Sequence, residues 1–385
     1  MKKLLYIDTF SSNHIHEMFD ASSLLMFAQL YDSIDYYGNG DSLSNVEHML
    51  GRMPDNVAVH KINLVNIYKP IHKLRRFIKQ IQATILNVWF IVTAKHDVDI
   101  VINYMTAISL YPINWITALT GKKVLIVCHS DIQELTGKNK VSWIFRKSIT
   151  LLNKKSVNIA KGLWFAVLGE SIYNNVVPLI SEQVKDKLVS FDHTAIFDKI
   201  PRMKKGQIDE KLILGYVGGF RMSKGADVFL NIAKHFKYNP NIEFRMIGHT
   251  SGKTEQLRDA GIVIPDGVGD FFINREKMYD LICQLDYVLY CFPPEGYKFT
   301  ASGTLFDAID CERPILAIRN DYFEGMFKAY GAFGYLENDM ESLISRIRLM
   351  IENKDTDKWN IKNVKEQLRP ESAAKRFSTS RWFQN

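Results

Sequence analysis

Cysteine is scarce in this 385-residue chain, and its distribution excludes two kinds of protein. The four cysteines are scattered without a CxxC pair, so the sequence offers neither a disulfide scaffold nor a CxxC zinc site. Three of them lie in apolar runs, as reduced buried thiols do, which predicts a cytoplasmic protein. Hydrophobic residues make up 46% of the chain and charged residues 24%, which excludes a disordered or collagen-like chain.

Long uninterrupted apolar segments are also missing from the sequence. Near the N-terminus, Asp8 ends an apolar run after four residues, which is too short for a signal peptide and predicts a buried first strand. Residues 100–121 carry no charge, but Asn103, Pro112 and Asn114 interrupt them. A strand followed by a helix explains this segment better than a membrane-spanning helix does.

The first strand is not followed by the G-x-G-x-x-G motif that binds dinucleotides, since residues 8–12 are DTFSS. This absence weakens one alternative, an NAD-dependent oxidoreductase, which also uses twin α/β domains. No nucleic-acid-binding motif accompanies the net charge of +7, so nucleic acid is not expected as a partner. The positive excess suits an anionic ligand such as phosphate, or an acidic membrane surface.

Short apolar runs alternate with longer helical stretches along the chain. Continuous apolar runs are typical of strands buried on both faces, so the pattern predicts parallel sheets built from βαβ units. The predicted strands are Leu4–Ile7, Val57–Ile62, Ile100–Asn103, Val124–Cys128, Trp164–Val167, Leu212–Val217, Ile242–Ile247, Tyr287–Tyr290 and Ile315–Ile318. Helical spacing is clearest at Val228–Phe236, Met278–Leu285 and Leu343–Ile351.

A polar segment at 198–211 divides this pattern into two halves and is interpreted as a linker. The predicted fold class is therefore α/β, with two Rossmann-like, doubly wound parallel-sheet domains. Residues 1–200 form the first predicted domain, rejoined by the C-terminal segment 370–385, and residues 201–369 form the second. Ligands bind such sheets at the carboxyl ends of the strands, so a cleft between the domains is the expected site.

The sharpest local feature follows the predicted strand Leu212–Val217. Gly218 and Gly219 come directly after the strand, and Arg221 and Lys224 follow before a helical stretch. Glycine lets the backbone approach a ligand closely, and two nearby cations suit a diphosphate. A tight turn with two solvated cations is the structural alternative.

A second loop precedes another helical stretch. Ser302, Gly303 and Thr304 combine two hydroxyls with backbone N–H groups that would point at an anion from the helix N-terminus. Asp307, on the first turn of this helix, would reach a neighbouring ribose diol. Ordinary N-capping, and an acid that complements the helix dipole, explain the same residues equally well.

These two loops and their spacing resemble the nucleotide-sugar half of the GT-B glycosyltransferases, in particular the retaining family-4-like group (glycosyltransferase group 1). In that group a strand leads into G-G-x-x-x-x-K-G, and residues 218–225 of this chain have the same pattern. About eighty residues later the group has an E-G-[FY] loop, then a helix reading E-A-[MI]-A-x-G-x-P. This chain has Glu295-Gly296-Tyr297, followed by a helix that begins its match with Asp307-Ala308-Ile309.

The resemblance implies a role for several of these residues. Arg221 and Lys224 would hold the donor diphosphate, and Asp307 would replace the glutamate that binds ribose. Glu295 would be the acid at the donor sugar, but it lies twelve residues before Asp307, whereas the two acids of the family are eight apart. The backbone around 300–304 is the alternative group for contacting the donor sugar.

Other loops match the family less specifically. Val268 lies in the loop 266–270, which in the family often cradles the nucleotide base, and a plain Gly-rich turn explains it equally well. His129 follows the fourth predicted strand, where the family often has a histidine near the transferred sugar; capping of the next helix is the alternative. His14 is a weaker candidate, and His16 is expected to be an ordinary helix residue.

Two basic stretches in the first half contain no acidic residue. Residues 69–95 hold six lysines and arginines, and residues 138–161 hold seven, interleaved with aromatic and aliphatic side chains. Basic amphipathic helices with aromatics suit an anionic membrane surface, as at the inner face of a membrane. A solvated helix face over the core is the alternative interpretation.

The function predicted from these features is transfer of a sugar from a nucleoside-diphosphate sugar to an acceptor hydroxyl, with retention as the resemblance implies. The first domain would bind the acceptor, expected to be a glycan or lipid-linked glycan of surface polysaccharide biosynthesis. The nucleotide sugar is a co-substrate, and neither a cofactor nor a metal is expected. Because the acid spacing is altered, a non-catalytic sugar-nucleotide- or glycan-binding protein remains an alternative.

Overall fold

The computed structural model describes residues 1–12, 16–65, 72–136, 143–198, 211–271, 273–353 and 358–384. The chain divides into two compact units, Met1–Ile196 with Leu368–Asn385, and Phe197–Gln367. Most of the predicted linker 198–211 lies outside the described residues, and so does His14.

The first unit contains a parallel sheet of seven described strands in the order β3-β2-β1-β4-β5-β6-β7. They are β1 (Lys3–Ile7), β2 (Ser33–Asn39), β3 (Val57–Ile62), β4 (Val98–Ile102), β5 (Val124–Cys128), β6 (Leu163–Leu168) and β7 (Leu188–Phe191). Strand order reverses between β1 and β4. Their carboxyl ends therefore form a switch point, where a ligand can bind in the crevice beside the ends of the strands.

Seven helices alternate with these strands in the described part of the chain. They are α1 (Glu17–Ala28), α2 (Gly40–Leu50), α3 (His72–Thr93), α4 (Leu110–Thr120), α5 (Trp143–Ile149), α6 (Glu170–Val176) and α7 (Glu182–Lys185). Every residue of β5 and of β6 is buried, which explains why both strands are apolar throughout. In β2, by contrast, buried positions alternate with more exposed ones.

The second unit repeats this plan with six described strands in the order β10-β9-β8-β11-β12-β13, all parallel. The strands are β8 (Leu212–Val217), β9 (Ile242–Ile247), β10 (Ile262–Val263), β11 (Tyr287–Tyr290), β12 (Ile315–Ile318) and β13 (Gly334–Glu337). The helices are α8 (Ala226–His235), α9 (Thr254–Asp259), α10 (Arg275–Ile282), α11 (Gly303–Asp310), α12 (Asp321–Tyr330), α13 (Met340–Asn353) and α14 (Ile361–Leu368). The switch point lies between β8 and β11.

After α14 the chain returns to the first unit. It forms α15 (Pro370–Phe377) and α16 (Arg381–Gln384), which pack on the sheet through aromatic side chains. The Phe377 ring lies edge-on to Phe27 and Phe191, at centroid distances of 5.9 and 5.4 Å. Trp382 is fully buried, with its ring 6.2 Å from that of Trp164.

The predicted fold class is confirmed, because both sheets are parallel and their strands alternate with helices. Six of the nine predicted strands have the predicted bounds, and the other three differ at their ends. Four strands were not predicted, namely β2, β7, β10 and β13. The uncharged segment 100–121 contains the end of β4 and then α4, as expected. No described helix is both long and apolar enough to cross a membrane.

Candidate functional site

Two loops of the second unit meet at Gly218, directly after β8. Gly218 has a φ of 107°, which L side chains rarely adopt, and its N–H donates to the Ile247 carbonyl at 2.8 Å. A Cβ built on Gly218 would lie 3.1 Å from Thr304 Cγ2 and 3.4 Å from Lys224 Nζ. The glycine therefore keeps open a small space that a hydroxyl-bearing residue and a cation both border.

Gly225 explains how Lys224 is brought to this space. Its φ is 69°, and a Cβ at this position would lie 1.7 Å from the Cys291 carbonyl oxygen. Only glycine permits the start of α8 to pack so closely against the backbone at the end of β11. A 3-10 turn at Met222–Lys224 precedes Gly225 and completes the connection from the strand to the helix.

The two cations of the first loop differ in their surroundings. Arg221 is exposed, and Lys224 is half-buried. Burial lowers the pKa of the Lys224 ammonium, the positive charge of Arg221 lowers it further, and Asp307 opposes both effects. Because burial disfavours the charged form of this ammonium, an anion bound beside it would stabilise the positive charge.

The second loop leads into the N-terminus of α11. Ser302 precedes this helix in an extended conformation, and no described side chain caps the helix there by a hydrogen bond. The hydroxyls of Ser302 and Thr304 lie 3.2 Å apart, and a Cβ on Gly303 would meet no described atom within 4 Å. Partial positive charge at the helix N-terminus, two hydroxyls and open space together suit an anion.

Asp307 was predicted on the first turn of this helix, but it lies one turn further along α11 because the helix begins at Gly303, and it is buried. Its Oδ1 accepts hydrogen bonds from the Arg275 guanidinium at 3.3 Å and from the Tyr279 hydroxyl at 3.2 Å. Burial raises the pKa of Asp307, while Arg275, Tyr279 and Lys224 act in the opposite direction. Asp307 thus couples α10 to α11 beside the glycine turn.

Glu295 is held differently from the other predicted residues of this unit. Its side chain is 72% exposed and lies 3.0 Å from the Lys298 ammonium, which is also 3.7 Å from Asp321. The following Tyr297 stacks on Phe292 with a centroid distance of 4.2 Å. Burial raises the pKa of Tyr297, and a hydrogen bond with Ser302 and the charge of Arg221 oppose this, so that the pKa is about 12.

Val268 lies in a loop that is hydrogen-bonded to the turn after β9. Its N–H donates to the Pro265 carbonyl at 3.0 Å, and its side chain is buried. The Thr250 N–H donates to the Gly269 carbonyl at 3.0 Å, and the Thr250 hydroxyl donates to Asp270 at 2.6 Å. The loop therefore presents an ordered backbone, as recognition of a base by backbone atoms requires.

In the first unit, His129 follows β5 and is buried at the switch point. Its Nε2 donates to the Asn103 carbonyl at 2.9 Å, which makes Nδ1 the acceptor nitrogen of the ring. The ring stacks on Tyr104 at 5.0 Å and meets His16 edge-on at 4.6 Å. Burial, and secondarily His16, hold the pKa of His129 well below its usual range, so the imidazole is neutral at pH 7.

A buried polar cluster lies at the end of β1. Asp8 Oδ1 accepts from the N–H groups of Phe10 and Ser11, both at 2.8 Å. Asn103 Nδ2 donates to Asp20 Oδ1 at 2.6 Å, and burial together with the Asp8 carboxylate raises the pKa of Asp20 well above its usual range. The residues 8–12 therefore form a polar turn stabilised by carboxyl groups in place of a glycine-rich loop.

Some residues of these sites were not identified from the sequence. His16 was expected to be an ordinary helix residue, but it precedes α1 with a φ of 60° and lies against His129. Lys79 is fully buried and donates to the Ser12 hydroxyl at 3.0 Å, and burial lowers its pKa to about 8. The sequence did not indicate a role for Arg275 either, because its partner Asp307 is 32 positions away along the chain.

Comparison with solved structures identifies the architecture. HepE of Anabaena, solved in complex with UDP, matches with a TM-score of 0.61 at 11% identity, covering 98% of both chains. The lipopolysaccharide outer core galactosyltransferase WaaB matches with a TM-score of 0.61 at 13% identity, covering 98% of both chains. TarM matches with a TM-score of 0.63 at 13% identity, covering 100% of this chain and 99% of its own.

The chain has the GT-B fold. At this level of identity the similarity concerns the fold alone. No family model matches the sequence, and no curated protein matches it either. Within the GT-B fold, the glycine turn after β8 and the N-terminus of α11 meet beside the switch point of the second sheet, which is where a parallel sheet binds its ligand.

Proposed function

We propose that this protein is a glycosyltransferase that moves a sugar, a hexose in our proposal, from a nucleoside-diphosphate sugar to an acceptor hydroxyl. The observation that best supports this function is that Thr304 and Lys224 both lie beside Gly218. Thr304 Cγ2 and Lys224 Nζ are 3.1 and 3.4 Å from the point where a Cβ of Gly218 would lie. Retention of the anomeric configuration is part of the proposal and follows from the resemblance to the retaining family-4-like group.

The proposed reaction breaks the bond between the anomeric carbon and the diphosphate oxygen, and forms a bond from that carbon to the acceptor oxygen. Negative charge develops on the leaving diphosphate, and a diphosphate oxygen takes up the proton that the acceptor hydroxyl loses. Arg221, Lys224 and the N-terminus of α11 would stabilise this charge in the second unit. Because the protein supplies these positive groups itself, the proposal assigns no role to a metal.

The remaining contacts with the donor follow from the same geometry. Asp307 would accept a hydrogen bond from a ribose hydroxyl through its carboxylate, and the backbone of the loop around Val268 would contact the base. We propose UDP as the nucleotide, since HepE was solved with UDP, and with UDP and glucose. Gly219, Ser302 and Gly303 would allow the diphosphate to approach the backbone closely.

The first unit would bind the acceptor. We propose a glycan or lipid-linked glycan of surface polysaccharide biosynthesis, assembled on the cytoplasmic side of the membrane. WaaB is named as a lipopolysaccharide galactosyltransferase, and a TarM variant of S. aureus was solved with α-GlcNAc-glycerol and UDP. His129 would act through Nδ1 as an acceptor for a sugar hydroxyl, because its lowered pKa makes the imidazole a weak base.

Binding and turnover test this proposal separately. Calorimetric titration with UDP, GDP, ADP, CDP and NAD, in buffer containing EDTA, should give binding by one nucleoside diphosphate, and Lys224→Met should weaken it. Release of that nucleotide from a panel of its sugar conjugates would then show turnover, and NMR of the product would give its anomeric configuration. Binding of NAD alone would contradict the proposal and favour an oxidoreductase.

A second function is favoured by one observation, the position of Glu295. This acid is largely exposed and paired with Lys298, whereas the proposed enzyme needs a group at the donor sugar. A non-catalytic sugar-nucleotide- or glycan-binding protein of the same fold would not need it there. Tight nucleotide binding without turnover of any sugar conjugate would favour this second function.

A further inference from the structure

Three helices of the first unit expose large apolar side chains. The three-helix surface consists of Ile81, Ile85 and Trp89 of α3, Trp115 and Leu119 of α4, and Trp143 of α5, with exposed fractions from 40% to 69%. Helix α4 packs against both α3 and α5, so these side chains belong to neighbouring helices. Several large exposed apolar side chains on adjacent helices suit a surface that docks on something else.

The spacing on α3 shows that this exposure is systematic. The apolar positions 74, 78, 81, 85, 89 and 92 recur every three or four residues and therefore form one stripe along the helix. Among the α3 side chains that the structure describes, Thr93 is the only polar one in the exposed class. From residue 77 to residue 92 the solvent-facing side of this helix is thus apolar, which is the reverse of the usual pattern for a surface helix.

The charge on the three helices has one sign. The sequences of α3, α4 and α5 contain no aspartate or glutamate. Arg146 and Lys147 of α5 are exposed, Arg75 of α3 is partly exposed, and Lys147 Nζ lies 4.4 Å above the Trp143 ring. The acids of the preceding turn, at 130–136, are only partly exposed. A partner of this surface must therefore be both apolar and negatively charged.

We propose that the three-helix surface docks on an anionic lipid bilayer, with α3 lying in the plane of the interface. Aliphatic side chains would enter the boundary between headgroups and acyl chains, tryptophans would lie at the headgroup level, and the basic residues would contact anionic headgroups. A second copy of the chain fits less well, because a two-fold contact would bring Arg146 and Lys147 against their own equivalents. This docking is independent of sugar transfer.

Vesicle flotation tests the docking with the full-length protein. The protein should float with vesicles of phosphatidylcholine mixed with phosphatidylglycerol, and less with phosphatidylcholine alone. The variant Trp89→Ser/Trp115→Ser/Trp143→Ser should bind the anionic vesicles at least about tenfold more weakly, because it loses three interfacial anchors. Lys147→Gln should reduce binding by about fivefold, and only on anionic vesicles.

The second unit provides a matched control. Tyr238 is 90% exposed and Lys237 Nζ lies 5.6 Å above its ring, as Lys147 lies above Trp143. Tyr238→Ser and Lys237→Gln should leave flotation unchanged. Wild-type tryptophan fluorescence should also be quenched by lipids brominated in the acyl chain, a readout that does not depend on any variant folding.

Several results would overturn the docking. Wild-type protein that floats with neither kind of vesicle would overturn it, and so would a triple-tryptophan variant that folds and floats as well as the wild type. Lack of quenching by brominated lipid would also contradict it. A wild-type dimer in solution that the triple variant cannot form would assign the surface to a second copy of the chain instead.

Discussion

Replacing Lys224 by methionine tests the proposed donor site most directly. Methionine keeps most of the volume of the half-buried side chain and removes its charge. A lysine ammonium about 4 Å from a phosphate oxygen interacts with it by roughly 4 kcal/mol at an effective dielectric constant near 20. Loss of one such preorganised donor lowers turnover about a hundredfold or more, which corresponds to roughly 3 kcal/mol. Because Lys224 is the closest charged group to the Cβ position of Gly218 among the described residues, we expect an effect of this size.

The lowered pKa of Lys224 gives the same prediction a second, independent test. In the free protein the ammonium loses its proton at a lower pH than an ordinary lysine does. Nucleotide affinity should therefore fall as pH rises through this lowered pKa, while the affinity stays constant at lower pH. Lys224→Arg should remove this alkaline loss, since a guanidinium remains charged throughout the range.

The assay is nucleotide affinity and turnover measured across pH for the wild type, Lys224→Met and Lys224→Arg. Lys234→Met is the matched control, because Lys234 lies exposed in the last turn of α8, the helix that follows the glycine turn. Circular dichroism should give the same spectrum for all four proteins. If Lys224→Met turned over the donor at the wild-type rate, or if Lys224→Arg showed the same alkaline loss, the reasoning would be refuted.

Three further predictions follow from the same structure. Asp307→Asn should weaken nucleotide binding about tenfold, and adding Arg275→Gln should weaken it no further, because Arg275 acts through Asp307; additive losses in calorimetry would contradict this. Burial lowers the pKa of His193 to about 4, so the unfolded chain binds an extra proton between about pH 6.5 and pH 4. The free energy of unfolding should therefore decrease by up to about 3 kcal/mol as the pH is lowered from about 6.5 to about 4, and His193→Gln should flatten this dependence in urea unfolding. Gly225→Ala should cost more than about 3 kcal/mol, whereas Gly252→Ala, at a similar φ with nothing within 4 Å, should cost about 1 kcal/mol in the same assay.

Several of the strands that the sequence predicts are buried and apolar throughout. β5 and β6 are buried along their whole length, so a continuous apolar run marks each of them. Three of the four strands that were missed, β7, β10 and β13, have four residues or fewer and lie at sheet edges. β2 is internal but alternates in burial and contains tyrosines and an aspartate, so its run of apolar residues is broken.

The candidate site shows a similar division between local and long-range features. The glycine turn with Lys224 and the loop 302–304 are local patterns, and each was identified from a few consecutive residues. The contact between them depends on β8 and β11 being neighbours in the sheet, which connects residues far apart in the sequence. Arg275 and His16 belong to the sites only through such contacts, and neither has a local pattern that distinguishes it.

The two units differ in the kind of ligand that their buried polar groups suit. Around Gly218 the second unit places a half-buried cation and a helix N-terminus, and both groups are stabilised by a bound anion. At the first switch point, burial keeps His129 neutral and raises the pKa of Asp20, which favours the uncharged form of both groups. A nucleoside-diphosphate sugar is anionic, whereas a sugar hydroxyl is neutral and needs a donor or acceptor of hydrogen bonds. The groups around Gly218 therefore suit the diphosphate that we assign to the second unit, and the neutral imidazole of His129 suits the sugar hydroxyl that we assign to the first; the one buried lysine described beside that first site, Lys79, already donates to Ser12.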